Sequence, residues 1–189
     1  MSWIKPRVSE KRFRHIVGVA DVARKLSAVA GCDPFLSELA AWLHDACKEL
    51  KDKELVVLAD RAGLPLSKIE REQGHLLHGP VAAVAAKEEL GITNQIVLDA
   101  VSQHTLGFAP MSDLSKVLFL ADCLEPGRPT DYTDPIWVAL DFGKSNDLEA
   151  AIVVACDLGI RHLIESRKPI HPRTVEVRNY YLDLVRNRR

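Results

Sequence analysis

The helical spacing of the apolar residues is the feature that most constrains the fold. Within residues 9–30, one helix face is formed by His15, Val19, Val22, Leu26 and Val29. These positions recur every three or four residues, which is the period of an amphipathic α-helix. Ser9 suits the N-cap of this helix and Gly31 suits its C-terminal stop. The sequence shows no alternating strand pattern of useful length and no internal repeat, so it predicts an all-α fold.

Further segments with the same spacing follow along the chain. Asp33, Thr93 and Ser112 are predicted N-caps, and Pro34 suits a first helical position. Residues 64–77 are polar and poorly periodic, which predicts a partly mobile connection. The predicted helices after the first cover 34–43, about 52–62, 81–90, 94–104, 113–122, 136–142, about 147–166 and 174–185. We expect roughly eight to ten helices in one domain, because no linker is long enough to divide the chain.

Composition narrows the class of protein. The chain has 189 residues, with 47% hydrophobic and 27% charged residues and a formal net charge of -1. This charge argues against a nucleic-acid binder that works through a global basic field. No apolar run approaches the roughly 20 residues of a membrane span, and the N-terminus is too polar for a signal peptide. Since Cys32, Cys47, Cys123 and Cys156 form no CxxC pair, we expect reduced, mostly buried thiols in a cytoplasmic protein.

The dipeptide His44-Asp45 ends the second apolar helical segment. Adjacent helical residues point about 100° apart, so the two side chains do not share a face. Both can nevertheless reach one ion that lies over the edge between their faces. Taken alone, the dipeptide is also compatible with an ordinary polar helix end.

Other helices contribute the same residue types. The candidate metal ligands are His15, His44, Asp45, His78, His104 and Asp122. Three of them, His15, His104 and Asp122, continue stripes that otherwise face the core; His104 follows the stripe of Ile96, Val97, Ala100 and Val101. Burying an unpaired carboxylate is costly, so Asp122 requires either a metal ion or an arginine partner. Each histidine taken singly could instead be a hydrogen-bonded core imidazole, and the convergence of several helices favours a metal site.

The residue types limit the choice of metal. Imidazole and carboxylate without thiolate suit iron, manganese, cobalt or zinc and do not select among them. Four to six ligands from these six side chains would leave positions for water and substrate, as in catalytic sites. His75 lies in the polar connection and is a weak ligand candidate, and His162 is predicted to be structural or solvated.

The ordered set of candidate ligands resembles the H…HD…H…H…D signature of HD-domain metal-dependent phosphohydrolases. More narrowly, the chain resembles their YqeK-type branch, the symmetrical bis(5'-nucleosyl)-tetraphosphatases. The narrower resemblance lies in residues 11–15, 44–48, 78–79, 104–107, 111–116, 121–128, 170–174 and 178–179. The most specific of these motifs are His-Thr-x-Gly at 104–107 and Ala-Asp-x-x-Glu-Pro-x-Arg at 121–128.

The resemblance implies a single HD-domain helical bundle over residues 1–189. Its core would cover about 10–130, and C-terminal helices over about 131–186 would complete the bundle and the nucleotide site. It also implies hydrolysis of diadenosine tetraphosphate and related dinucleoside polyphosphates to two ADP. One or two iron ions are the implied cofactor, with manganese or cobalt as substitutes. By the resemblance, the primary metal ligands are His15, His44, Asp45 and Asp122, and a second metal or a phosphate is held by His78 and His104.

Several polar residues near these ligands are candidates for substrate binding and catalysis. The phosphate-binding or catalytic set is Asp45, Lys48, Thr105 and Arg128. Lys48 could instead face solvent at a helix C-terminus, Arg128 could pair with Glu125, and Thr105 could cap a helix end. The candidates for nucleoside binding are Tyr132, Ile170, His171, Pro172 and Thr174. A tyrosine ring offers a stacking face, and a proline-containing loop offers free backbone groups.

The function therefore has one leading interpretation and three alternatives. The leading one is a metal-activated water that attacks a central phosphorus of a dinucleoside polyphosphate and releases ADP. The alternatives are another HD phosphohydrolase acting on nucleoside mono- or triphosphates or a nucleotide second messenger, a non-catalytic HD module that binds a nucleotide or protein, and a helical scaffold with a structural metal. We expect no nucleic-acid or membrane partner, and a homodimer is compatible with the sequence.

Overall fold

Helix α7 (Asp113–Leu124) forms the centre of the structure, a computed structural model that describes residues 2–188. Most of its side chains are buried, including Leu118, Leu120 and Ala121, as expected for a helix at the centre of a bundle. The helices packed against it are α1 (Glu10–Ala30), α2 (Pro34–Leu43), α6 (Gln95–Gln103), α8 (Thr130–Leu140) and α9 (Leu148–Glu165). Several helices therefore end or pass near the C-terminal end of α7, where Asp122 lies.

The remaining elements complete an all-α fold. They are α3 (Asp52–Arg61), α4 (Lys68–Glu72), α5 (His78–Leu90), α10 (Pro172–Asn187) and two short 3-10 segments, Lys5–Arg7 and Gly74–Leu77. Residues 2–188 thus contain ten α-helices and no strand, which confirms the predicted fold class. Across the same residues, every helix is too short or too polar to traverse a lipid bilayer.

Three of the predicted helix starts have the expected caps. Ser9 Oγ accepts from Arg12 N at 3.3 Å, and Asp33 Oδ1 accepts from Phe35 N at 2.8 Å. Ser112 Oγ accepts from Ser115 N at 3.1 Å. These bonds satisfy amide groups of the first helical turn that have no partner within the helix.

The predicted start of α6 is wrong by one residue. Asn94, not Thr93, is the N-cap, and its Oδ1 accepts from Ile96 N at 3.1 Å. Ile96 is 51% exposed, so the buried stripe that leads to His104 consists of Val97, Ala100 and Val101 without it. Asn and Thr both carry a side-chain oxygen that can accept from the first helical amides, which is why the sequence alone did not separate them.

Two C-terminal helices begin earlier than predicted. Helix α8 starts at Thr130 rather than Ile136 and contains Pro135 in its second turn. Helix α10 starts at Pro172 rather than Thr174, with His171 as its N-cap. The prolines near these starts are compatible with a helix, because each removes only an amide with no helical partner or one early bond.

The connection over residues 64–77, which the sequence predicts to be poorly periodic and partly mobile, is helical over most of its length. Ser67 and Glu70 form a capping box that starts α4, and the Gly74–Leu77 3-10 segment follows. Gly74 packs on the start of α3, where a Cβ would lie 2.2 Å from the carbonyl oxygen of Asp52. Only glycine allows this close approach. The contact fixes the 3-10 segment that directly precedes His78.

The C-terminal helices are tied to the central helix by polar contacts. Tyr181 on α10 is buried, and its hydroxyl accepts from Met111 N at 2.8 Å just before α7. On α7, Lys116 Nζ donates to Glu149 of α9 at 2.5 Å. These bonds hold α9 and α10 against the N-terminal end of α7, the end opposite Asp122.

Candidate metal centre

Asp45 lies at the centre of the six candidate ligands. Its carboxylate is buried, and its two oxygens face different neighbours. Oδ2 lies 3.5 Å from both His15 Nε2 and His44 Nε2. Oδ1 lies 3.3 Å from His78 Nε2 and 3.7 Å from His104 Nε2. The structure therefore brings together side chains that are widely separated in the sequence.

The cluster has two sides that share Asp45. The carboxylate side consists of His15, His44 and Asp122, whose ligand atoms all lie within 4.8 Å of one another, and its two histidines face Asp45 Oδ2. The imidazole side consists of His78 and His104 around Oδ1, with their Nε2 atoms 2.9 Å apart. The carboxylate side has a second carboxylate, that of Asp122, in addition to the shared Asp45. Within residues 2–188, the imidazole side has no carboxylate besides Asp45.

Three of the four histidines are placed by helix ends. His44 is the C-cap of α2, His104 is the C-cap of α6, and His78 follows the 3-10 segment at the start of α5. The carbonyls that accept from their Nδ1 atoms are Ala41 O at 2.6 Å, Val101 O at 2.8 Å and His75 O at 2.6 Å. Carbonyls in the last helical turn lack intrahelical donors, so an imidazole N–H satisfies them. Because a carbonyl only accepts, each Nδ1 is protonated, and the lone pair of each Nε2 faces the cluster.

His15 needs a different partner because it lies in the interior of α1, where the backbone carbonyls are already bonded. Its Nδ1 lies 3.1 Å from Glu125 Oε1, and Glu125 also accepts from Gly127 N at 2.7 Å. This carboxylate–histidine pair directs His15 Nε2 toward the cluster. The sequence alone suggests Glu125 only as a partner for Arg128, so this role was not predicted. The signal that could have found it is a buried histidine in a helix interior, which requires a side-chain acceptor.

Two glycines permit the close approaches on which the cluster depends. A Cβ on Gly79 would lie 2.8 Å from Val101 O and 3.0 Å from the ring of His104. A Cβ on Gly127 would lie 2.9 Å from Glu125 Oε1. Glycine at these positions lets α5 meet the end of α6 and lets the turn after α7 fold back on Glu125.

The residues present fit a metal ion. His15 Nε2 and His44 Nε2 are buried and have no hydrogen-bond partner among the described residues. The two facing lone pairs of His78 and His104 repel each other unless a cation or a donor lies between them. The C-terminal ends of α2 and α6, which meet here, carry partial negative charge that favours a cation. Imidazole and carboxylate donors suit iron, manganese, cobalt or zinc.

The pKa shifts separate the two sides of the cluster. Burial acts to raise the pKa of Asp122, but His15, whose Nε2 lies 3.0 Å from Asp122 Oδ1, and the charge of His44 hold it far below its usual range. Burial acts to lower the pKa of His44, but Asp45 raises it above its usual value. On the other side, burial lowers the pKa of His104 to about 3, and the positive charge of His78 adds to this effect. The carboxylate side thus favours positive charge and the imidazole side favours neutral rings.

Two arginines lie against the carboxylates of the cluster. Arg128 donates from an η nitrogen to Asp122 Oδ1 at 2.8 Å and from Nε to Asp122 O at 3.1 Å. Its distance to Glu125 is longer, at 3.9 Å, so the main contact of Arg128 is not the predicted alternative ion pair. Arg12 donates to Asp45 Oδ2 at 2.8 Å, and the sequence analysis did not identify it as a site residue.

Lys48 and Thr105 lie beside the imidazole side. Lys48 Nζ is 3.4 Å from His78 Nε2, and burial lowers the pKa of this lysine. Thr105 Oγ1 lies 3.1 Å from the Nε2 atoms of both His78 and His104. Lys48 is therefore not the fully solvated lysine of the alternative interpretation. Both side chains carry donors at the point where a ligand would meet the cluster.

A cavity of about 300 Å³ opens beside these residues, and we call it the Tyr132 cavity. Its polar lining consists of Lys48, His104, Thr105, Asp122, Arg128, Tyr132, His162 and Thr174. Two of the predicted nucleoside contacts, Tyr132 and Thr174, thus line a cavity that reaches the cluster. His162, predicted to be structural or solvated, is exposed and also lines it.

The other predicted nucleoside residues lie farther from the cluster. His171 is buried, accepts from Arg173 N at 3.1 Å and lies 3.7 Å from Glu70. It lines a neighbouring cavity of about 290 Å³ that also contacts Thr174 and His162. Ile170 and Pro172 are not among the residues that line either cavity. His75 does not face the cluster, since its ring lies 3.4 Å from Asp52.

Known proteins match this chain over most of its length. The family model of the HD domain matches residues 12–127. A protein of Halalkalibacterium halodurans named symmetrical bis(5'-nucleosyl)-tetraphosphatase is 34% identical over 95% of this chain and 93% of its own length. A protein of the same name from Staphylococcus aureus is 33% identical over 94% of this chain and 90% of its own length. The Bacillus subtilis protein of that name is 28% identical over 95% and 94%.

A solved structure shares the fold. The crystal structure of a protein from Clostridium acetobutylicum, described as an HD superfamily hydrolase involved in NAD metabolism, matches with a TM-score of 0.90. The two chains are 31% identical, and the match covers 96% of this chain and 94% of the other. The whole arrangement of helices, including the C-terminal ones, therefore has a counterpart in that protein.

Proposed function

This chain belongs to the HD-domain family and, within it, to the family of the bacterial symmetrical bis(5'-nucleosyl)-tetraphosphatases, and we propose that it is a metal-dependent hydrolase of dinucleoside polyphosphates. Diadenosine tetraphosphate is the substrate we favour. The cut falls between the two central phosphates, and both products are ADP.

The observation that carries the proposal is the cluster of Asp45 and five other ligand-type side chains at the end of a cavity. The carboxylate side would hold an ion through His15, His44, Asp45 and Asp122, and the imidazole side would hold a second ion or a phosphate through His78 and His104. Iron is the metal we propose, with manganese or cobalt as substitutes. A bound ion of this kind supplies a water of lowered pKa and offsets negative charge on the phosphates.

The polar groups around the cluster then have distinct tasks. Lys48 Nζ, which lies 3.4 Å from His78 Nε2, binds a phosphoryl oxygen of the substrate. Thr105 donates its hydroxyl hydrogen to a second oxygen beside the imidazole side. Arg128 makes a bidentate contact with the phosphate chain through the same guanidinium that contacts Asp122. Asp45 orients the attacking water through one carboxylate oxygen, since it lies between the two sides.

The Tyr132 cavity receives a nucleoside in this proposal. The ring of Tyr132 offers a stacking face, and His162 and Thr174 offer hydrogen-bonding groups. Helices over residues 131–186 thereby complete the nucleotide site of the HD domain. His171, Ile170 and Pro172 would act indirectly, by fixing the start of α10 on which Thr174 lies. We place the enzyme in the cytoplasm because its four cysteines are free thiols, and a homodimer remains a prediction.

Product analysis tests the proposed function. Protein supplied with iron or manganese is incubated with diadenosine tetraphosphate, and the nucleotides are separated by anion-exchange chromatography. ADP as the only nucleotide product is the expected result. ATP with AMP would contradict the proposal, because these products mean cleavage away from the centre of the phosphate chain.

A substrate panel separates the alternatives. Nucleoside mono- and triphosphates and cyclic dinucleotides are assayed under the same conditions as the dinucleoside polyphosphates. We expect the highest kcat/KM for the tetraphosphate dinucleotide. Faster turnover of a mononucleotide would favour another HD phosphohydrolase, and binding without turnover of any compound would favour the non-catalytic module.

A further inference from the structure

A second and larger cavity reaches the cluster from the side of α1. We call it the Arg14 cavity; it has a volume of about 670 Å³ and lies between the N-terminal turns of α1 and the turn at residues 125–129. Its charged lining consists of Lys11, Arg12, Arg14, His15, Glu49, Glu125 and Arg128. Arg128 is the one lining residue shared with the Tyr132 cavity, so the two cavities meet at this guanidinium.

The Arg14 cavity has the charge of an anion site. Its two acids are already engaged, since Glu125 contacts His15 Nδ1 at 3.1 Å and Glu49 accepts from Ser9 N at 2.7 Å. Lys11 and Arg14 are exposed at its rim, and Arg12 Nε is buried without a hydrogen-bond partner among the described residues. Arginines arranged in this way are the usual ligands of phosphate groups.

The position of the Arg14 cavity relative to the cluster indicates what the anion is. His15 connects the Arg14 cavity to the carboxylate side, and His104 connects the Tyr132 cavity to the imidazole side. A dinucleoside tetraphosphate has two equal nucleoside diphosphate halves, and cleavage at its centre requires the central phosphates to lie at the cluster. When the substrate is bound, its second half must then extend from the cluster in a different direction from its first half. The volume of the Arg14 cavity is within the range of nucleotide-sized ligand sites.

We propose that the Arg14 cavity binds the second nucleoside diphosphate half of the substrate, through Lys11, Arg12 and Arg14. This inference rests on the proposed function and deepens it. It explains how a molecule with two identical ends is held for cleavage at its midpoint, since each half fills a separate cavity and Arg128 contacts the phosphates between them.

The first test measures how many ADP molecules bind to one chain. Isothermal titration of metal-supplied protein with ADP should give two ADP per chain. The double variant Lys11→Glu, Arg14→Glu should give one, because two of the cations that hold the phosphates become repulsive. Arg24→Glu, Lys25→Glu is the matched control, since it reverses two charges farther along α1 and should retain two ADP. One ADP per chain in the unmodified protein, or two in the Lys11, Arg14 variant, would overturn the inference.

The second test uses turnover. In the Lys11, Arg14 variant, the KM for diadenosine tetraphosphate should rise at least about tenfold while kcat changes less than about twofold, because the protein loses positive charge at the cavity rim and not at the reacting phosphates. The control variant should keep both constants. An unchanged KM would contradict the inference while leaving the proposed function intact. Conversely, two bound ADP without any hydrolysis by the unmodified protein would contradict the proposed function and leave the second nucleotide site standing.

Discussion

The carboxylate side and the imidazole side of the cluster hold their histidines in the same way but differ in the charge of their other residues. Both present Nε2 atoms whose rings are fixed through Nδ1, and both share Asp45. The carboxylate side adds Asp122 and, behind His15, Glu125, so it concentrates negative charge. The imidazole side adds Lys48 and Thr105, which are donors.

This difference in charge indicates a division of labour. A site with two carboxylates attracts a cation strongly and retains it between turnovers. A site with neutral rings, a lysine and a hydroxyl binds a cation more weakly and accepts phosphate oxygens equally well. We therefore expect the resident ion on the carboxylate side and the substrate-dependent contacts on the imidazole side. Substitutions on each side, and of Asp45 between them, separate the two roles.

Asp45→Asn should reduce kcat at least about 1,000-fold, because the substitution removes the one charge that serves both sides. The amide is nearly isosteric, so the fold should be retained. Steady-state kinetics with diadenosine tetraphosphate measures the loss, and far-UV circular dichroism checks the fold. Substantial turnover by the variant would remove Asp45 from the reaction.

His44→Ala and His104→Ala form a matched pair, because both residues are buried C-caps whose Nδ1 binds a helix carbonyl. Metal analysis after purification should find little iron in the His44 variant and about one ion per chain in the His104 variant, since only the first removes a ligand of the carboxylate side. Equal loss of metal from the two variants would show that the sides are not distinct in affinity.

Glu125→Gln should weaken metal binding about 10–100-fold, the usual effect of changing a group that supports a metal-bound histidine. Gln still accepts from His15 Nδ1 but carries no charge. Affinity is measured by competition with a chelator of known strength. Glu49→Gln, which lies in the same cavity but contacts Ser9, is the control and should bind metal normally. Unaltered affinity in the Glu125 variant would remove this carboxylate from the carboxylate side.

Gly79→Ala should lower the free energy of unfolding by about 1–3 kcal/mol, because the added Cβ meets the Val101 carbonyl and the His104 ring. Chemical denaturation measures the change. Gly159→Ala in α9 adds a Cβ with no heavy atom within 4 Å and should instead raise the free energy of unfolding by about 0.5–1 kcal/mol. If both substitutions stabilise the protein, α5 and α6 are not in tight contact at Gly79.

The smallest expected effect is in imidazole titration. In metal-free protein, NMR should show His44 protonated near pH 6.5, since Asp45 raises its pKa, while His104 stays neutral down to a pKa of about 3. The contribution of His44 to stability is then present below about pH 6.5 and lost as pH rises through its folded pKa. The contribution of His104 to stability has the opposite pH dependence, because its pKa is lowered on folding. Its neutral, buried ring destabilises the folded state increasingly as pH falls below about 6.5. Identical titration of both rings would contradict the assigned difference in charge.

Much of this arrangement could be predicted from the sequence, because it depends on local patterns. The period of apolar residues identified the helices, and Ser9, Asp33 and Ser112 identified three of their starts. The candidate ligands were found because histidine and aspartate continued stripes that face the core. The starts of α8 and α10 were predicted too late because their first residues are mostly polar and the regular apolar period begins only after them.

The parts that could not be predicted depend on contacts between distant segments. Glu125 supports His15 only because the turn after α7 lies beside the middle of α1. Arg12 reaches Asp45 for the same reason, since α1 and the end of α2 are neighbours only in the folded chain. Gly79 is required because the end of α6 packs closely against it. The residues next to Gly79 in the sequence do not indicate this contact.

Three of the four imidazoles are held by main-chain oxygens of their own helical turns, and this has an evolutionary consequence. No side chain has to be conserved to keep those rings in their tautomer, because every amino acid supplies the same carbonyl. Related enzymes can therefore exchange the residues around the cluster, and with them the preferred substrate, without rebuilding the ion's coordination. Selection on specificity and selection on metal retention then act on separate parts of the chain.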